Sequence, residues 1–102
     1  MHAVIETRRP ELAELCRRFH VRRLELFGSA AREDFDPDRS DVDLLVEFER
    51  DPAFNRFANY FGFKEAVEAL LRRPVDLVTA SAVRNPYLRA SIERTKEPLY
   101  GA

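Results

Sequence analysis

Apolar positions change their spacing several times along this chain, and each change predicts an element. Leu12, Leu15, Cys16 and Phe19 recur at i, i+3, i+4 and i+7, the spacing of one helical face. Pro10 is tolerated only in a first turn, so this helix should begin near residues 7–9 and close at His20. Residues 21–27 carry apolar Val21, Leu24, Leu26 and Phe27 and read as a strand that stops at Gly28. Residues 42–48 alternate strictly. Val42, Leu44, Val46 and Phe48 share one face, and Asp41, Asp43, Leu45 and Glu47 the other.

The polar, Pro-broken residues 33–39 read as a loop, and residues 29–32 as the possible start of a short helix. A helical region follows Asp51-Pro52 and runs to about Arg72, with two offset apolar stripes. One holds Phe54, Phe57, Ala58 and Phe61, the other Phe63, Val67 and Leu70. Gly62 lies between them, where a bend or break is expected, since glycine costs a helix about 1 kcal/mol relative to alanine. The aromatics from Phe54 to Phe63 are expected to form a thick core, with a partner interface as the alternative. Residues 74–79 make a third strand, carrying Asp76. Asn85-Pro86 caps a last helix whose inner face is Leu88 and Ile92, and Leu99-Tyr100 adds an extended end. Helices and strands in this order predict an α/β or α+β fold, a sheet covered by helices.

Composition narrows the function classes. At 102 residues, one domain (residues 1–102) with a single core is expected. A formal net charge of -1 gives no bulk attraction to nucleic acid. Cys16 is the only cysteine, so an internal disulfide and a Cys-clustered zinc site are both excluded. The N-terminus lacks the apolar run of a signal peptide, and no stretch approaches the ~20 apolar residues of a membrane span. A reducing, cytoplasmic location is therefore expected.

The chemistry concentrates between Leu24 and Phe48. Asp41 and Asp43, two apart on a strand, project from one face, and two carboxylates held together favour a cation between them. Mg²⁺ suits such a pair, because it typically takes one or two carboxylates, several waters and substrate phosphates. The chain has seven aspartates, so an Asp-x-Asp pair alone is a weak signal. Asp34, Asp36 and Asp38 also alternate, but as a calcium loop they fail. Arg39 stands where such a loop needs glycine, and Leu45 where it needs glutamate. They read as a solvated turn. Asp41 and Asp43 differ in sitting against an apolar strand, where a charge needs a reason, and in following a strand-ending Gly28-Ser29. Asp76, on another strand, is expected to be a third, buried carboxylate. Three carboxylates and a glycine turn able to cradle phosphate describe a two-metal phosphoryl-transfer site.

Phe27-Gly28-Ser29, eleven further residues, Asp41-Val42-Asp43-Leu44, and later Val75-Asp76-Leu77 resemble the nucleotidyltransferase fold of the DNA polymerase β superfamily. More narrowly, GSAAR…SDVDLLVEF is similar to the minimal nucleotidyltransferases of prokaryotes. The resemblance covers nearly the whole chain and implies a small mixed β-sheet packed with helices. It departs at Glu33, where these proteins commonly have glycine, which adds an anion to the loop. What it implies for the site is specific. Gly28 and Ser29 would hold the β- and γ-phosphates of ATP, with Arg32 pairing a phosphate. Asp41, Asp43 and Asp76 would be the catalytic carboxylates and the ligands of two Mg²⁺ ions, with Asp76 also helping to activate the attacking hydroxyl. Minimal members resemble antitoxins that act on a separately encoded HEPN-family toxin, some by transferring AMP to a toxin tyrosine. The implied function is thus ATP-dependent AMP transfer to a partner toxin held in a complex. The alternatives are an antitoxin that works by occlusion and a subunit of a small-molecule nucleotidyltransferase.

Overall fold

The computed structural model describes residues 3–28, 41–50 and 53–101. Four α-helices, four strands and a short 3-10 helix (Ala80–Ala82) are found among them: α1 (Ala3–Glu6), α2 (Arg9–Arg18), β1 (Val21–Phe27), β2 (Val42–Phe48), α3 (Arg56–Leu71), β3 (Val75–Thr79), α4 (Pro86–Thr95) and β4 (Glu97–Tyr100). The sheet order is β3-β2-β1-β4. β1 pairs antiparallel with both β2 and β4, whereas β2 and β3 run parallel, with α3 between them in the chain. This is a mixed sheet packed with helices, as the resemblance implied.

The alternation of β2 decides the two faces. Val42, Leu44 and Val46 are buried and meet Leu24 and Leu26 of β1 and Val75 and Leu77 of β3. Ile5, Leu12 and Cys16 from α1 and α2, and Phe63, Val67 and Leu71 from α3, close over that face. Burial pushes the Cys16 thiol up to about 12, so it is an inert packing group. The opposite face carries a smaller cluster in which Phe27 packs with Val83 and Ile92, flanked by Leu45, Val78 and Leu88. α4 thus lies across the sheet from α2 and α3.

Local chemistry explains the element ends. Pro10 sits in the first turn of α2, where its missing N–H costs nothing. Asn85 caps α4 by accepting hydrogen bonds from the N–H groups of Tyr87 and Leu88, and Pro86 opens the helix. β4 tolerates Pro98 because it is an edge strand. The other edge, β3, is guarded by side chains of α3: the Glu68 carboxylate accepts from the Val75 N–H, and the Tyr60 hydroxyl donates to the Leu77 carbonyl.

Two expectations about α3 are corrected. The helix runs unbroken through Gly62, whose place is explained by packing, since a Cβ there would come within 2.9 Å of the Phe19 ring. The aromatic stripe is also not a thick core. Phe63 is fully buried, but Phe57 is 74% exposed and Phe61 45% exposed, their rings in tilted contact with centroids 4.8 Å apart. The crossing of α3 over the sheet leaves room for one stripe only, and Phe63, Val67 and Leu71 fill it. α1, which buries Ile5, carried too short a pattern to be predicted.

Candidate active site

β1 delivers its C-terminal end, and β2 and β3 their N-terminal ends, to the same edge of the sheet. Phe27, Asp43 and Asp76 form one cross-strand row there, because Phe27 pairs with Asp43 and Asp43 pairs with Asp76. Residues opposite one another in a ladder project from the same face. The carboxylates of Asp43 and Asp76 therefore share the α4 side of the sheet. Asp41 stands one residue before β2, two positions from Asp43 in the alternation.

The exposure of these groups differs from expectation. Asp43 is half-buried, whereas Asp41 and Asp76 are exposed, so Asp76 is not the buried carboxylate that its apolar neighbours suggested. The apolar cover supplied by α4 and Val83 reaches Leu45 and Val78, two positions further along each strand. The starts of β2 and β3 are left open, as a site that admits substrate must be.

Gly28 closes the site from the β1 side. Its φ of +72° is a left-handed conformation that suits glycine, and a Cβ at this position would run into the Asp43 carboxylate. Its N–H donates to the Thr95 hydroxyl at 3.1 Å, and that hydroxyl donates to the Ser91 carbonyl at 2.8 Å. Thr95 is a contributor that sequence reading missed, since a threonine in a last helical turn carries no local signal. Gly28 thus contributes close backbone approach, with its own N–H already engaged. Ser29, Arg32, Glu33 and the alternating Asp34, Asp36 and Asp38 lie outside the described residues.

The donor set fits a hard divalent cation of modest protein demand. Among the described residues, no three His, Cys, Asp or Glu side chains converge into a group able to hold a metal by themselves. Asp43 and Asp76 in register supply two hard oxygen donors, and Asp41 stands beside them on the open side. Mg²⁺ accepts one or two carboxylates and completes its shell with water and substrate phosphates. Two grooves lie elsewhere on the described surface. One of about 360 Å³ sits under α4 between Glu25, Leu45, Arg89 and Lys96. The other, of about 510 Å³, is lined by Phe48, Arg50, Phe54, Arg56, Tyr60 and Thr79. It lies at the C-terminal ends of β2 and β3, away from all three aspartates.

A mixed sheet that carries an Asp-x-Asp strand beside a glycine turn and a third aspartate on the neighbouring strand defines a nucleotidyltransferase fold. Residues 11–97 match the nucleotidyltransferase domain family, and the chain belongs to it. Protein adenylyltransferase MntA of Thermococcus cleftensis is 43% identical over 72 residues, covering 71% of this chain and 69% of that protein. A solved structure provisionally described as a minimal nucleotidyltransferase superposes with a TM-score of 0.74 at 34% identity, covering 91% of this chain and 90% of its own. The complex of a tri-AMPylated Shewanella oneidensis HEPN toxin with its MNT antitoxin shares the fold, with a TM-score of 0.66 at 18% identity over 96% of this chain and 73% of its own. Among the described residues, no helix is long and apolar enough to cross a membrane.

Proposed function

We propose that this chain is a Mg²⁺-dependent protein adenylyltransferase that moves AMP from ATP to a tyrosine of a HEPN-family toxin, and so acts as its antitoxin. The observation that carries this reading is the pairing of Asp43 with Asp76 beside the Gly28 turn. Likeness to MntA supports protein as the acceptor class, and the fold shared with an antitoxin bound to an AMPylated HEPN toxin supports the partner class.

In this reading Asp41, Asp43 and Asp76 would hold Mg²⁺, and the chemistry such an ion would supply is stabilisation of negative charge on the triphosphate. Gly28 lets the backbone approach, and Ser29 and Arg32 bind the β- and γ-phosphates. The tyrosine oxygen forms a bond to the α-phosphorus while the bond from that phosphorus to the bridging oxygen breaks. Pyrophosphate leaves with the bonding pair. Asp76, at the open edge, accepts the phenolic proton and passes it to water. The exposed edge gives a large acceptor access that a closed pocket would deny. Labelled ATP, Mg²⁺ and the cognate toxin should yield labelled toxin. No transfer, or equal transfer by the Asp41→Asn/Asp43→Asn variant, overturns the reading.

A second reading, neutralisation by occlusion, is favoured by the exposed Phe57, Phe61 and Tyr87, large apolar groups suited to an interface. Protection of cells by the Asp41→Asn/Asp43→Asn variant would establish it in place of catalysis.

A further inference from the structure

We propose that Thr95 is a positioning residue of the nucleotide site, holding the Gly28 turn against Asp43 from the end of α4. This rests on the reading of the site as a nucleotidyltransferase centre.

The junction of α4 and β4 beside β1 makes the contact. β4 pairs antiparallel with β1, with Glu97 opposite Leu26. Beyond that pair β1 runs on to Gly28, and the chain before β4 turns back into the last residue of α4, Thr95, whose hydroxyl accepts from the Gly28 N–H. α4 ends at Thr95, so this residue belongs to the helix and faces the turn at once. Its hydroxyl spends its proton on the Ser91 carbonyl at 2.8 Å, which leaves oxygen lone pairs for the Gly28 N–H at 3.1 Å. Both contacts are partly buried, where water competes weakly. Gly28 touches this hydroxyl through its N–H and faces the Asp43 carboxylate with its Cα, and its left-handed φ gives the turn a conformation worth fixing. Without the hydroxyl, the Gly28 peptide loses the bond that sets its tilt toward Asp43. The close approach of the Gly28 backbone to the Asp43 carboxylate would then no longer be fixed.

Thr95→Val keeps the shape and removes the acceptor, and Thr95→Ser keeps the acceptor. The test uses the full chain, with Mg²⁺ and α,β-methylene ATP as the probe in titration calorimetry. Thr95→Val should weaken binding about threefold to tenfold at unchanged stoichiometry, and Thr95→Ser should restore it. A residue that merely supports folding would instead lower the fraction of competent sites and leave Kd alone. Amide exchange at Gly28, followed by NMR, should accelerate in Thr95→Val and not in Thr95→Ser, with no nucleotide present. Thr95→Ala serves as a second variant if Thr95→Val does not fold. Wild-type Kd and wild-type Gly28 exchange in the valine or alanine variant overturn the proposal. A wild-type chain that binds no Mg²⁺-nucleotide overturns the nucleotidyltransferase reading beneath it, a result distinguishable from the first.

Discussion

Asp43 and Asp76 stand directly opposite one another in the parallel ladder of β2 and β3, two like charges at the open edge of the sheet. Like charges in this relationship destabilise a sheet, where favourable cross-strand pairs contribute roughly 0.2–1 kcal/mol. A cation shared by the two carboxylates would favour this arrangement. Asp76→Asn should therefore leave the melting temperature unchanged or slightly raised, while abolishing nucleotide transfer. Thermal unfolding and a transfer assay on the same preparation check both halves. A variant that is both less stable and fully active contradicts the assignment.

Mg²⁺ and nucleotide together should stabilise the wild-type chain. A ligand that binds only the folded state raises stability by about 2.7 kcal/mol at a concentration a hundredfold above its Kd. The shift should be absent in Asp41→Asn/Asp43→Asn. Differential scanning fluorimetry with and without EDTA reads it directly.

Gly28→Ala tests the turn. The left-handed backbone costs a residue with a Cβ roughly 1–2 kcal/mol, and the added methyl would also push the Asp43 carboxylate aside. Stability should fall by at least that amount in denaturant unfolding, and transfer should be lost even at temperatures where the variant remains folded.

Glu68 should make part of the acid sensitivity of the fold. Its carboxylate accepts the Val75 N–H at 3.0 Å and pairs with Lys64 at 3.3 Å, and the backbone bond is the main cause holding its pKa below the usual carboxylate range. A depressed folded pKa means that the unfolded chain binds this proton first as pH falls. The contribution is thus fully present above the unfolded value near 4.3 and is lost as pH drops through the folded one. Melting temperatures of Glu68→Gln and wild type should differ at neutral pH and converge in acid.

The two stripes of α3 separate by mutation. Phe63→Ala should cost about 3–5 kcal/mol, as a fully buried ring, whereas Phe57→Ala should stay within about 0.5 kcal/mol. Equal losses would contradict the observed burial.

These residues also mark how far the sequence could be read. Strict alternation through Val42–Phe48 was enough to place Asp43 on the face opposite Val42 and Leu44, because a strand has only two faces. Asn85-Pro86 announced α4 through cap chemistry that is local in the chain. Alternation could not say which of the two α3 stripes would be covered. That depends on where the helix crosses the sheet, a tertiary fact, and the exposed stripe proved the more aromatic one. The same limit hid the exposure of Asp76, whose neighbours Val75 and Leu77 are buried on the other face. The link from Thr95 to Gly28 joins residues far apart in the chain and follows only from where α4 ends beside β1.

The most direct test of the account is the intact mass of the partner toxin after co-expression with this chain. A gain equal to one or more AMP units with wild type, and none with Asp41→Asn/Asp43→Asn, is the predicted result. An unmodified partner, still bound and still neutralised by wild type and variant alike, would contradict catalysis and leave occlusion as the function.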